Sequence, residues 1–549
     1  MRADLEFGTI ANLVRQNATR FADLEAVVDD EKRLTYPQLN DAVREAARSY
    51  IACGIQKGDR ISIWAPNIWE WVVAALGAVT VGGVLVPLNT RFKGEEAAYI
   101  LSRSRARMLL CVNGFLGNDY VTWLRGADTP TPSVEQVVVL RGDAPEGTID
   151  WQQFLALGKD IRDSEVDARI DALSPDDLSD IFFTSGTTGR PKGVMTNHAQ
   201  NIRVFDDWSQ TVGVVRGDRF LIVNPFFHTF GYKGGILGCL IRGATIIPEV
   251  VFDVPTALRR IAAEKVSMLP GPPTLFLSIL NHPERDNFDL SSLRLAVTGA
   301  AAVPVEMLRR MREELTFKTI ITAYGLTESC GTISMCRADD DYETISLTSG
   351  RALIDVEVKI VDDDFNEVPR GEAGEIVCRG YNVMQGYFED EAATAEAITA
   401  DGWLHTGDIG TMNDRGYINI TDRKKDLFIV GGFNAYPAEI ENYLLGHPDI
   451  AQVAVIGVPD ERQGEVGWAF VTARPGFGAL LRRAAASPAG RYLAGAETRR
   501  TGGGAGSSPH QPERQGHQIR VTRPSRQVFA ITSRLVLELV ASADVPLPL

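Results

Sequence analysis

Apolar residues recur at helical spacing over residues 42–51, 70–79, 95–101 and 305–315, and short β-branched runs occupy 60–64, 136–140, 295–297 and 319–322. Helical and strand patterns alternate along the chain, which predicts an α/β body with largely parallel sheets. The apolar stretch 71–88 has nearly the length of a membrane span, but Gly82-Gly83 interrupts it and Pro87 closes it. It reads as a buried helix running into a buried strand. From 356 to 419 the texture changes to strands punctuated by turn residues, as in Val356-Glu357-Val358-Lys359-Ile360-Val361 followed by Asp362-Asp363-Asp364, which predicts an antiparallel, β-barrel-like region. The charged stretch Thr421-Asp422-Arg423-Lys424-Lys425-Asp426 is expected to form a turn and mark a domain boundary before a last α+β piece, 427–473. Beyond Gly476 the chain is rich in Arg, Ala, Gly, Ser and Pro and contains no lysine. Residues 502–509, Gly-Gly-Gly-Ala-Gly-Ser-Ser-Pro, cannot bury enough apolar surface to order themselves, so most of this tail is expected to be disordered. Its composition also suits out-of-frame translation of a GC-rich gene.

The expected architecture is therefore α/β: a large N-terminal domain (1–421) of two α/β subdomains plus the small β-barrel-like region, and a smaller α+β C-terminal domain (422–475). A length of 549 residues requires more than one domain in any case. The net charge of −15 argues against nucleic acid as a partner, so anionic ligands must be held locally, by loops and single cations. Six scattered cysteines without a CxxC pair, and an acidic first thirty residues unlike a secretory leader, predict a cytoplasmic protein without a transmembrane segment. A homodimer stays open.

The strongest chemical signal is Ile181-Phe182-Phe183-Thr184-Ser185-Gly186-Thr187-Thr188-Gly189-Arg190-Pro191-Lys192-Gly193. An apolar strand runs into a glycine-rich loop with four hydroxyls and a terminal lysine. Glycines let backbone N–H groups turn toward phosphate oxygens, the hydroxyls add donors, and Lys192 supplies a point charge. A P-loop would need Gly-Lys-Ser/Thr leading into a helix; Arg190-Pro191 intervenes, which excludes that class.

This loop, Thr322-Ala323-Tyr324-Gly325-Leu326-Thr327-Glu328, and Gly402-Trp403-Leu404-His405-Thr406-Gly407-Asp408 together resemble the adenylate-forming superfamily of acyl-CoA synthetases, luciferases and adenylation domains, over roughly 9–475. The resemblance implies an ATP-dependent acid–CoA ligase using Mg²⁺ and CoA and working through an acyl-adenylate. It places Thr184, Ser185, Gly186, Thr187, Thr188, Gly189 and Lys192 on the ATP phosphates, Thr327 on the α-phosphate and Glu328 on Mg²⁺. Asp408 and Arg423 match the ribose contacts. Gly299-Ala300-Ala301 and Tyr324, with Gly325 beside it, match the segments around adenine.

In Asn224-Pro225-Phe226-Phe227-His228-Thr229-Phe230-Gly231-Tyr232, the resemblance puts His228 beside the acid's carboxylate and makes Phe226, Phe230 and 234–236, with Gly325, the walls of an apolar acid cavity. Gly431, Gly432 and Phe433 match the lining of a CoA tunnel, and Asp422-Arg423 a hinge about which the small domain swings between the two half-reactions. Family members carry a lysine in a Gly-Lys context near the C-terminus that reaches the α-phosphate. Here the last lysine is Lys425, so weak or absent ligation is expected of this chain.

Stretches 224–240, 269–274 and 281–294 resemble actinobacterial ligases that activate a steroid-ring remnant, a hexahydroindanedione propanoate. The alternatives are a medium- or long-chain fatty acid ligase, and a catalytically impaired acyl- or nucleotide-binding protein.

Overall fold

A computed structural model describes residues 2–184, 190–299, 303–423, 428–430, 433–435, 437, 440, 441, 444, 450–460, 464–473 and 528–532. It divides into two compact units, one of Met1–Thr406 with Gly410–Ile420 and one of Gly407–Ile409 with Thr421–Leu549.

The first unit is α/β. Its largest sheet has the strand order Gly386–Tyr387, Lys192–Asn197, Leu178–Thr184, Val84–Pro87, Arg60–Trp64, Ala106–Phe115, Gln136–Arg141, Ile149–Asp150. The middle is parallel, while Lys192–Asn197 runs antiparallel to both of its neighbours. A second sheet orders Arg219–Ile222, Thr245–Pro248, Glu25–Asp29 and Lys32–Thr35, and a third begins with the parallel pair Leu295–Thr298 and Thr319–Tyr324. Glu357–Val361 and Gly374–Arg379 pair antiparallel in a four-stranded sheet that continues through Leu404–Met412 to Ile418–Arg423.

The apolar run 71–88 resolves into helix Trp69–Thr80 and strand Val84–Pro87, both buried. A helix buried on every side has no polar stripe, which is why its sequence mimics a membrane segment. Its one acid, Glu70, is raised by burial and compensated by Arg141, whose Nε lies 2.9 and 3.0 Å from the two carboxylate oxygens. Among the described residues no helix is long and apolar enough to cross a membrane. Helix Tyr36–Ala52 starts at a capping box, Thr35 Oγ1 accepting from Gln38 N–H and Gln38 Oε1 from Thr35 N–H, and buries the Tyr36 ring.

One expectation is amended. Thr421, Asp422 and Arg423 end the strand Ile418–Arg423 instead of forming a turn, because the Ile418/Ile420 alternation carries the pairing forward; 424–427 lie outside the described residues. In the tail, Val528–Thr532 pairs antiparallel with Gly464–Ala473, as its β-branched and aromatic residues favour. The remainder of 476–549 lies outside the described residues. The second unit's sheet orders Phe433–Ala435, Phe428–Val430, Gly464–Ala473 and Ile450–Asp460.

His198 opens helix His198–Val212 and is fully buried, its Nδ1 accepting from Ile10 N–H at 3.3 Å. Burial lowers its pKa to about 4. In the unfolded chain the same ring titrates near ~6.5, so between those values the unfolded state holds more protons. Stability from this group is complete above the unfolded value and is lost as pH falls toward the folded one. Between pH ~7 and ~4.5 the loss amounts to roughly 2–3 kcal/mol. Urea midpoints across that window should fall steeply for the wild type and less steeply for His198→Asn; parallel slopes would assign the acid sensitivity to other groups.

Candidate functional site

Strands Leu178–Thr184 and Lys192–Asn197 form an antiparallel pair in which Thr184 lies directly opposite Lys192. The two ends of the glycine-rich loop are thereby fixed side by side; Ser185, Gly186, Thr187, Thr188 and Gly189 lie outside the described residues. On the far edge of Lys192–Asn197, Tyr387 pairs with Val194, and Phe388 N–H donates to Gly193 O at 2.7 Å. This register carries the Tyr387 ring under Lys192, with Nζ 5.0 Å from its centroid.

The Tyr387 hydroxyl donates to Glu328 Oε1 at 2.9 Å. Burial, then the charge of Glu328, pushes the phenol far above its ordinary range, so it remains a donor. Met384 N–H donates to Glu328 O at 2.9 Å, fastening the same stretch to the short helix Thr327–Ser329. Lys192, Tyr387 and Glu328 therefore stand together although the sequence separates them widely. Tyr387 joins these candidate residues, and sequence reasoning missed it. Its only signal was an aromatic of strand propensity after a turn-rich stretch, and nothing local shows that it pairs with the strand beginning at Lys192.

Thr327–Ser329 is held in a sharp reversal. Ser329 Oγ accepts from Leu326 N–H at 3.0 Å, and Ile333 N–H returns to Tyr324 O at 2.8 Å. Gly325 is required here, since a Cβ would sit 2.5 Å from Gly331 O and from Thr332 Cα. Thr229 Oγ1 donates to Thr327 Oγ1 at 3.4 Å, which brings the His228 segment to the same place. Gly331, at φ +95°, faces Thr229 from the other side; a Cβ would meet Thr229 Cγ2 at 3.0 Å.

His228 is open to solvent yet ringed by enough protein to hold its pKa below the usual imidazole range, as in a cleft. Its Nδ1 accepts from Phe230 N–H at 3.2 Å, so the neutral ring carries its proton on Nε2. Phe230 is half-buried with its ring edge-on to Trp208 at 5.4 Å. Phe226, by contrast, is fully buried against Trp71 (5.2 Å), and its N–H donates to Asn67 Oδ1. It belongs to the core beneath the site. Residues 230–237 form a π-helix, a form frequent at functional sites.

Gly299 and Tyr324 follow or end the parallel strands Leu295–Thr298 and Thr319–Tyr324, whose carboxyl ends lie side by side with Thr298 opposite Thr322. This is the sheet edge where open α/β folds receive ligands. Ala300 and Ala301 lie outside the described residues. Asp408, in the second unit, is buried on strand Leu404–Met412; Arg423 ends the neighbouring strand Ile418–Arg423. Gly431 and Gly432 lie outside the described residues, and Phe433 begins strand Phe433–Ala435.

No group of three or more His, Cys, Asp or Glu side chains among the described residues is arranged to hold a metal. A single carboxylate suits Mg²⁺ where it is shared with phosphate oxygens and waters. Glu328 fits: Oε1 accepts from Tyr387, and among the described residues Oε2 accepts no hydrogen bond.

The AMP-binding enzyme family matches residues 14–388, and the AMP-binding enzyme C-terminal domain matches 439–495, so the likeness runs past Gly476. A (7a-methyl-1,5-dioxo-octahydro-1H-inden-4-yl)propanoyl:CoA ligase of Rhodococcus jostii is 50% identical over 471 residues, 85% of this chain and 89% of that protein. The enzyme of the same name from Mycobacterium tuberculosis is 49% identical over 466 residues, 85% and 88% of the two chains. The solved structure of the anthranilate CoA ligase AuaEII in complex with anthranoyl-AMP superimposes with a TM-score of 0.76 at 26% identity, covering 86% of this chain and 89% of that one. With one family description spanning well over half of its residues and curated relatives at this identity, the chain belongs to the AMP-binding enzymes.

Proposed function

We propose that the protein joins a fused-ring propanoic acid, of the methyl-dioxo-octahydroindene class, to CoA at the expense of ATP. The observation that carries the reading is the convergence of Lys192, Tyr387 and Glu328 beside the Thr184–Lys192 hairpin, with Thr229 and His228 at Thr327. The acid class is taken from the relatives' substrates.

In the first step a carboxylate oxygen of the acid attacks the α-phosphorus of ATP, the bond to pyrophosphate breaks, and an acyl-adenylate forms. In the second, the CoA sulfur attacks the acyl carbon, the bond to AMP breaks, and the thiol proton is released. Lys192 and the hairpin's donors hold the departing phosphates. His228 donates from Nε2 to the acid's carboxylate as a neutral group, orienting the nucleophile without the strong pairing of a full cation. Mg²⁺ held by Glu328 would withdraw charge from the phosphate oxygens. Thr327 contacts the α-phosphate, Tyr324, Gly299, Ala300 and Ala301 surround adenine, and Asp408 with Arg423 binds ribose. The segment from 422 acts as a lid, with Gly431, Gly432 and Phe433 along the pantetheine arm.

A panel of acids with ATP, Mg²⁺ and CoA tests this by mass detection of acyl-CoA and AMP. The ring propanoate should give the highest kcat/KM, at least about tenfold over straight-chain fatty acids, the order expected when a pocket discriminates by shape. Preference for a straight chain would replace the ring acid with a fatty acid. AMP binding with no thioester from any acid, even after the chain beyond Pro475 is replaced by a segment with a Gly-Lys lysine, would remove the ligase reading.

A further inference from the structure

Behind the site six polar side chains meet in the interior. Lys233, on the π-helix Phe230–Leu237, and Asp180, on the strand ending at Thr184, are 1% and 0% exposed, with Nζ 3.0 Å from Oδ1. Lys233 Nζ also donates to Thr196 Oγ1 at 2.8 Å and reaches Cys330 Sγ at 3.6 Å. Thr196 Oγ1 passes a hydrogen bond on to Asp180 Oδ1 at 2.6 Å. Asp180 Oδ2 accepts from Ser179 Oγ at 2.8 Å and Asn201 Nδ2 at 2.5 Å, and Cys330 Sγ donates to Asn201 Oδ1 at 2.9 Å.

All of the partners but Asn201 sit on, or directly beside, a segment that carries a candidate site residue. Asp180 shares a strand with Thr184, and Thr196 shares one with Lys192. Lys233 follows His228 and shares the π-helix with Phe230, and Cys330 adjoins the Thr327–Ser329 turn that presents Glu328. Asn201, on helix His198–Val212, ties strand and turn together. A buried ion pair is a poor means of stabilising a core, because desolvating two charges offsets most of their attraction and apolar replacements often do as well. Such a pair is better suited to fixing one arrangement among several, since no other register satisfies both charges. The burial that isolates it also pushes the Cys330 thiol up to about 11, so the thiol stays protonated as a donor.

We propose that the Lys233–Asp180 pair is a positioning device that locks the acid side of the site, through the π-helix, to the phosphate strands and the Glu328 turn, so that acid and nucleotide binding are thermodynamically coupled. The proposal rests on the ligase reading above.

The test is calorimetry on the full chain with the Mg²⁺ complex of α,β-methylene-ATP and the ring propanoate, each alone and in the presence of the other. In the wild type the acid should bind about tenfold more tightly once the nucleotide is present, within the usual range of coupling. Lys233→Met leaves a buried carboxylate unpaired and should lower the unfolding temperature by several degrees. Lys233→Met with Asp180→Asn removes both charges at nearly constant volume. That double variant should recover the wild-type unfolding temperature and bind the nucleotide within about threefold, yet show coupling close to one. Coupling retained in the double variant, or absent in a wild type that binds both ligands, overturns the proposal. If the double variant does not fold, Thr196→Val, which keeps both charges and removes the hydroxyl between them, should reduce the coupling to about threefold, and unchanged coupling there counts against it equally. A wild type that binds neither ligand sinks the ligase reading instead, and this proposal with it.

Discussion

Glu328→Gln should lower kcat/KM for thioester formation by about 10²–10³, the loss found when a preorganised charge-stabilising group is removed from a site of this kind. The substitution keeps the shape of the side chain and leaves an amide oxygen to accept from the Tyr387 hydroxyl now bonded to Oε1. The fold should be spared, with a stability change within about 1 kcal/mol. What disappears is the formal negative charge, and with it the oxygen donor a hard cation prefers. The deficit should therefore depend on the metal: the Mg²⁺ concentration giving half-maximal rate rises, and excess Mg²⁺ recovers part of the loss. Tyr387→Phe keeps the carboxylate but removes its hydrogen bond. A bond to a charged group contributes about 1.5–3 kcal/mol, so a loss of roughly ten- to a hundredfold is expected, with little change in Mg²⁺ dependence. A Glu328→Gln enzyme within threefold of wild type at limiting Mg²⁺ would mean that the cation is held elsewhere.

The ordering of those two effects shows what the sequence did and did not disclose. Elements with a local signature were legible: the α/β alternation, the buried helix Trp69–Thr80 leading to Val84–Pro87, and the strand that ends at Thr184. Their periodicity is a property of neighbouring residues, and burial fixes it. Tyr387 and Lys233 were not legible, because their roles come from pairings between segments far apart in the chain. Tyr387 becomes a site residue only through the register that sets it opposite Val194. Lys233 reads locally as a polar interruption in Phe230-Gly231-Tyr232-Lys233-Gly234-Gly235-Ile236, and a charge inside so apolar a run was the hint that a buried counter-ion exists. Phe226 shows another limit: an aromatic next to a candidate histidine reads as a pocket wall, and its burial against Trp71 comes from a helix far away in the chain. Thr421–Arg423 illustrates a third limit, since charged residues suit a turn by composition yet continue a strand whose partner precedes them.

The second large effect concerns the cation that the family resemblance places at the α-phosphate. After Lys425 there is no lysine, and the segment from Gly476 is dominated by Arg, Ala, Gly, Ser and Pro. Adenylation brings a carboxylate against an already anionic α-phosphate, so a cation placed between them acts where repulsion is greatest. Arginine is no simple substitute for it, because its planar fork is larger and demands a different geometry. Replacing the chain after Pro475 with the C-terminal segment of the Rhodococcus jostii relative, provided that segment carries a lysine in a Gly-Lys context, should raise the rate of pyrophosphate release by about a hundredfold or more, equivalent to ~2.7–4 kcal/mol. AMP affinity should change little, because the large unit's phosphate and adenine elements are untouched. A version of the graft with that lysine changed to alanine separates the charge from the rest of the segment: if the charge is responsible, its rate returns to that of the original chain. Equal pyrophosphate release by the original and grafted chains would mean that a cation already present, Lys192 foremost among the described residues, meets the whole electrostatic demand of the step.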